Sequence, residues 1–132
     1  MQFCFKYKFE IEGKNTINIV FNNLLKNTNF MFSNCSSLTS LNLSNFNTNN
    51  DNNMSEMFYE CSSLTSLNLS NFNTNNVNNM NEIFSKCHSL TSLNLSNFIT
   101  NNVKNMSSMF FEYSSLTSLN TKDERISEVL KD

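Results

Sequence analysis

An α/β solenoid of about four 26-residue coils is the fold class this sequence predicts, each coil a strand, a turn and a helix. Its strands are expected to form a parallel sheet on one face. Three observations predict it. Cys35, Cys61 and Cys87 open near-identical runs at a fixed spacing of 26 residues, and Tyr113 opens a fourth. A constant period in the range of about 20 to 50 residues marks a stacked-repeat architecture. Each run carries the same apolar schedule, first at strand spacing and then at helix spacing. The departures from the schedule lie near the two ends, where a stack needs caps.

At the N-terminus, Phe3, Phe5, Tyr7, Phe9 and Ile11 alternate with Cys4, Lys6, Lys8 and Glu10. Such alternation predicts a half-buried strand. Gly13-Lys14-Asn15 is a turn signal, and Ile17, Ile19 and Phe21 alternate again. Residues 2–12 and 16–21 therefore read as a β-hairpin, and 1–30 as an N-terminal hairpin cap with its connector. Residues 31–120 form the repeat array, and 121–132 a C-terminal capping helix, all in one structural domain.

Within a repeat, Leu41 and Leu43 are two apart and share one face of a short strand, as do Leu67 with Leu69 and Leu93 with Leu95. Leu67 is thus expected in the core, where truncation to Ala costs about 2–5 kcal/mol. Ser66 is expected to face out. The second half of the repeat runs Val77, Met80, Ile83, Phe84, Cys87, then Val103, Met106, Met109, Phe110, Tyr113. This spacing fits one stripe of a helix of about three turns. Thr74-Asn75-Asn76 and Thr100-Asn101-Asn102 supply N-cap candidates. Asp51 stands where later repeats have valine, which leaves two readings: an exposed slot, or an N-cap. Thr121 replaces the third leucine of the last copy, and Ile126, Val129 and Leu130 then predict a short amphipathic helix.

Composition narrows the function classes. At net charge −2 the chain has no basic field for nucleic acid. No run of about 18 apolar residues is present to insert into a membrane. The first ten residues lack the apolar core of a signal peptide, so the chain reads at face value as cytoplasmic, or as a mature or excised piece of a longer protein. A single glycine, Gly13, excludes a glycine-rich phosphate loop.

With these residues in view a resemblance emerges. Met-Phe-x-x-Cys-Ser-Ser-Leu-Thr-Ser-Leu-Asn-Leu-Ser-Asn-Phe-Asn-Thr-Asn-Asn-Val-x-Asn-Met resembles the 26-residue surface-protein repeat of the BspA-like leucine-rich-repeat proteins, over residues 31–120. The resemblance implies a leucine-rich-repeat-like solenoid acting in protein binding or adhesion. Such proteins occur in bacteria such as mycoplasmas and in protists, often at the cell surface, and some bind host matrix proteins. One position departs from ordinary leucine-rich repeats. Phe46, Phe72 and Phe98 stand where those repeats bury an asparagine, so a phenylalanine spine is expected in its place.

The residues point away from catalysis. His88 is the only histidine and occurs in one copy; Ser36, Ser62 and Ser114 fill its slot elsewhere. Cys87-His88 falls short of the four ligands a zinc site wants. Glu56, Glu60, Glu82 and Glu112 are expected on a solvated helix face. The cysteine column is expected to hold buried thiols. No cofactor is expected. The candidate partner-binding face is the strand's outer surface: Ser40, Asn42 and Ser44; Ser66, Asn68 and Ser70; Ser92, Asn94 and Ser96; Ser118 and Asn120. Repeated rows of small hydrogen-bonding groups suit a protein or an extended polymer. The alternative is a structural, self-assembling unit, a monomer or a weak end-to-end associate, whose polar rows only keep the sheet solvated.

Overall fold

The computed structural model describes residues 25–131. The expected hairpin over 2–12 and 16–21 lies outside them. Four three-residue strands recur every 26 residues: β1 (Ser40–Asn42), β2 (Ser66–Asn68), β3 (Ser92–Asn94) and β4 (Ser118–Asn120). β1 pairs with β2 in parallel, placing Leu41 beside Leu67 and Asn42 beside Asn68. β3 pairs with β4 in the same way, Leu93 beside Leu119. Like therefore lies beside like within each pair. The expected single sheet is instead two two-stranded sheets. At the seam between β2 and β3, side chains make the links. Asn97 Nδ2 donates to the Leu69 and Phe72 carbonyls, and the Ser89 hydroxyl donates to the Ser62 carbonyl.

The helices expected within the repeats are absent from the described residues. Their place is taken by a segment built of consecutive turns, here called a rung, over residues 28–35, 54–61, 80–87 and 106–113. In the second rung Met57, Tyr59 and Cys61 donate back three residues, to Met54, Glu56 and Phe58. The alternate amides point along the stack. Those of Met54, Glu56, Phe58 and Glu60 donate to Asn79, Asn81, Ile83 and Ser85 of the next repeat at 2.8–3.1 Å. A helix would close all of these bonds inside one repeat. Left-handed residues every fourth position prevent that: Glu56 and Glu60, Glu82 and Lys86, Ser108 and Glu112 all have φ of 53–60°. Such a conformation costs a non-glycine residue about 1–2 kcal/mol. Here a hydrogen bond to the neighbouring repeat compensates at the first four of these residues.

The inward side of the rungs, Met54, Met57, Phe58, Cys61 and their equivalents, meets the leucines of the strand side in one core. Aromatic rings stack from repeat to repeat. Phe32, Phe58, Phe84 and Phe110 follow at 5.7–5.8 Å between centroids. Phe46, Phe72 and Phe98 form the expected second column at 5.9 and 6.2 Å. Offset stacks of this kind add about 0.5–1.5 kcal/mol per pair beyond burial. The leucines are less uniform than their sequence. Leu64, Leu90 and Leu95 are fully buried and Leu93 nearly so, but Leu41 and Leu67 are only half-buried.

Corners are made by asparagine, since glycine is absent from the described residues. Asn27, Asn47, Asn53, Asn73, Asn79 and Asn105 each accept, through Oδ1, the amide two residues on. This Asx geometry turns the chain without needing a glycine. A threonine column replaces the expected N-caps. The Thr48 hydroxyl donates to the Asn73 carbonyl at 3.0 Å and accepts the Asn73 amide at 2.8 Å. Thr74 does the same with Ile99, at 2.9 and 2.8 Å. All three threonines, Thr100 included, are buried.

Both ends of the column system carry an aspartate. Asp51 is fully buried, which removes the reading of an exposed slot. It accepts from the Thr28 hydroxyl and from the Asn53 amide, so it caps a turn and not a helix. Burial raises its pKa above the usual carboxylate range, against the hydrogen bonds from Thr28 and Asn53. Asp123 takes the amide and hydroxyl of Thr100 at 2.8 and 2.7 Å, and the Arg125 amide at 3.0 Å. It is the N-cap of α1 (Glu124–Val129). Burial acts to raise its pKa too, but the hydrogen bonds from Thr100, Arg125 and Ile126 leave it lowered. Ile126 is buried as expected, while Leu130 is 40% exposed.

The candidate partner-binding face

The strand triplet Ser-Leu-Asn sets the face. Its leucine turns toward the core, so the flanking serine and asparagine turn outward, following the strand period of two. Ser40, Asn42, Ser66, Asn68, Ser92, Asn94, Ser118 and Asn120 are all exposed. Ser70 is exposed, whereas Ser44 and Ser96 are half-buried at the ends of their strands. The pairing brings Ser40 beside Ser66 and Asn42 beside Asn68, and Ser92 beside Ser118 and Asn94 beside Asn120. The seam divides these rows into two patches of two strands each.

The asparagines are oriented. Asn42 Oδ1 accepts the Ser44 amide, Asn68 Oδ1 that of Ser70, and Asn94 Oδ1 that of Ser96, at 3.0–3.1 Å. Each carboxamide thus uses its acceptor on its own backbone. Its NH₂ group remains as a donor of two hydrogen bonds. Asn42 and Asn68 lie beside each other, so in the first patch these donors repeat at the strand separation of about 4.8 Å. No titratable group belongs to these rows, so their hydrogen-bonding pattern is independent of pH.

The groups set aside in the sequence lie elsewhere. His88 is exposed, and its carbonyl accepts from the Ser115 hydroxyl. The Cys61 and Cys87 thiols donate to the Phe32 and Phe58 carbonyls at 3.1 and 3.3 Å. Burial pushes the Cys87 thiol up to about 12, so it stays protonated and unreactive near neutral pH. Glu56, Glu60 and Glu82 are half-buried and only Glu112 is exposed, so the solvated acidic face is partly covered. Lys86 binds Glu60 at 3.1 Å and lies 5.3 Å from the centre of the Tyr59 ring. The hydrogen bond from Lys86 holds the Glu60 carboxyl below its usual range. Among the described residues no helix is long and apolar enough to cross a membrane.

The Asx bonds behind the exposed face were missed at the level of sequence. The recurrent Asn-x-Ser of the strand end, at Asn42, Asn68 and Asn94, is the signal that could have found them.

No curated protein and no solved structure matches the chain. Residues 7–130 match a family described as "Mycoplasma protein of unknown function, DUF285", a repeat-protein family. With nearly its whole length covered, the chain belongs to that family.

Proposed function

We propose that the protein is a non-enzymatic binding module of the BspA-like type, a leucine-rich-repeat-like solenoid that works in adhesion. Its partner is a protein or an extended polymer presenting hydrogen-bond acceptors at a regular spacing. The observation that carries this reading is the orientation of Asn42, Asn68 and Asn94. Their acceptors bond to their own backbone, which leaves their NH₂ groups as donors on an exposed face, with Asn42 and Asn68 in register. The face lacks the Tyr, Trp and Arg anchors of tight recognition, so affinity comes from many weak contacts acting together.

The test exploits the same geometry. Asn68→Asp and Asn94→Asp keep the carbonyl oxygen that holds the turn and delete the outward donors. β2 and β3 face each other across the seam, so each single variant is measured beside the double one to separate lost donors from repulsion between the two carboxylates. Binding to an immobilised extracellular-matrix protein is measured by surface plasmon resonance, beside the urea midpoint of each protein. The double variant is expected to lose about tenfold or more in affinity, or about 1.4 kcal/mol, at an unchanged midpoint. Equal binding by the wild type and the variant refutes the assignment.

A further inference from the structure

The rungs have a direction. In the first three, four alternate amides donate forward to carbonyls of the next repeat. In the last rung the corresponding amides are those of Met106, Ser108, Phe110 and Glu112, and no described residue accepts from them. α1 covers only part of this end. Arg125 ties it to the Thr100 and Val103 carbonyls, and Ile126 is buried beneath it. Beside it lies a groove of about 630 Å³, lined by Phe110, Phe111, Tyr113, Val129 and Leu130 along with the polar residues of the rung. Phe111 is 53% exposed and Leu130 is 40% exposed. The Tyr113 ring lines the groove, while its hydroxyl is buried without a hydrogen-bond partner.

We propose that this open rung is a docking site for the turn segment of a further repeat of the same kind, carried by a partner polypeptide. The docking surface continues the interface that already joins the rungs three times over. Main-chain edges take up added segments readily when their donors are unpaired. Here the shape selects the occupant. The edge bends at Ser108 and Glu112, both left-handed. A straight strand could reach only some of the four amides. A segment with its own left-handed residues at the same four-residue interval follows the edge throughout, as rung follows rung inside the stack. Its apolar side chain would enter the groove between the exposed Phe111 and Leu130, beside the Phe110 ring that Tyr113 meets edge-on at 5.8 Å.

The experiment follows amide hydrogen exchange by NMR on the full chain. The probe is a synthetic peptide of residues 79–87 carrying serine in place of Cys87. In the chain alone, the Ser108 and Glu112 amides are expected to exchange about tenfold or more faster than those of Glu56, Glu60, Glu82 and Lys86. The peptide is expected to slow Ser108 and Glu112 selectively, and a scrambled peptide of equal composition is not. Phe111→Asp, a change at an exposed side chain, is expected to abolish the protection while leaving exchange in the first three rungs unaltered. The proposal is overturned if the peptide leaves both amides unchanged, or if the scrambled peptide protects them equally. It is also overturned if both amides become protected merely on raising the protein concentration, since the occupant is then a second copy.

Discussion

Replacing Thr74 by valine tests how neighbouring repeats are held together. The side chain keeps its shape and loses only its hydroxyl. That hydroxyl belongs to a residue only 1% exposed, donates to the Ile99 carbonyl at 2.9 Å and accepts the Ile99 amide at 2.8 Å. The variant therefore leaves two backbone groups without a partner. An orphaned buried group costs about 1–3 kcal/mol, and water can reach part of this pair beside the exposed Ile99 side chain, so about 2–4 kcal/mol is expected in total. With a urea m-value of about 1.5 kcal/mol/M, the midpoint should fall by about 1.3–2.7 M. Thr65→Val is the control. Its hydroxyl also donates to a neighbouring repeat, to the Thr39 carbonyl at 3.0 Å, but it is exposed. Water replaces that bond, and the loss should stay below about 0.5 kcal/mol. Urea unfolding followed by circular dichroism reads both. Equal losses would refute the threonine column as a structural stitch, because burial would then have made no difference.

Two further outcomes follow from the same geometry. Asp51 has a pKa raised in the folded state, so the folded protein holds its proton more tightly than the unfolded chain does. Stability therefore falls as pH rises from the ordinary aspartate range through the raised pKa. Asp51→Asn should remove that loss and raise stability at neutral pH. Asp123 has a lowered pKa; its contribution is present above the ordinary aspartate range and is lost as pH falls through the lowered value, so Asp123→Asn should destabilise at neutral pH. Thermal melts from pH 3 to pH 7 separate the two, and a shift of the same sign in both variants would contradict the assignment. Leu90→Ala, at a fully buried site, should cost about 2–5 kcal/mol, and Leu67→Ala, half-buried, distinctly less. Matching urea midpoints for the two would overturn the ranking.

The 26-residue spacing makes the alignment of equivalent residues legible in the sequence itself. Leu41 beside Leu67 and Phe46 on Phe72 follow from it directly. The rung is not legible there. Met80, Ile83, Phe84 and Cys87 do face one way, as a helical stripe would, but inward facing does not fix the path of the hydrogen bonds. Left-handed corners usually betray themselves as glycine. Here Glu82 and Lys86 occupy them, so the sequence looks helical. Thr74 illustrates the same limit. A threonine before an apolar stripe suits a helix cap, and only the neighbour's carbonyl, 25 residues away in sequence, shows its use. The outward facing of Ser66 and Asn68 follows from the period of two, because that argument needs no partner. The seam between β2 and β3 is hidden, since the two triplets are identical in sequence.

Near-identical laps create a hazard that the aspartates answer. A chain whose segments fit one another equally well could thread out of step by one whole lap and still match leucine to leucine. Asp51 has its threonine only at Thr28, and Asp123 has its own only at Thr100. Misthreading by a lap would part each aspartate from the threonine that pairs with it and would leave the buried Asp51 carboxylate without its partner. These two unlike residues therefore act as keys that admit a single threading of an otherwise ambiguous chain.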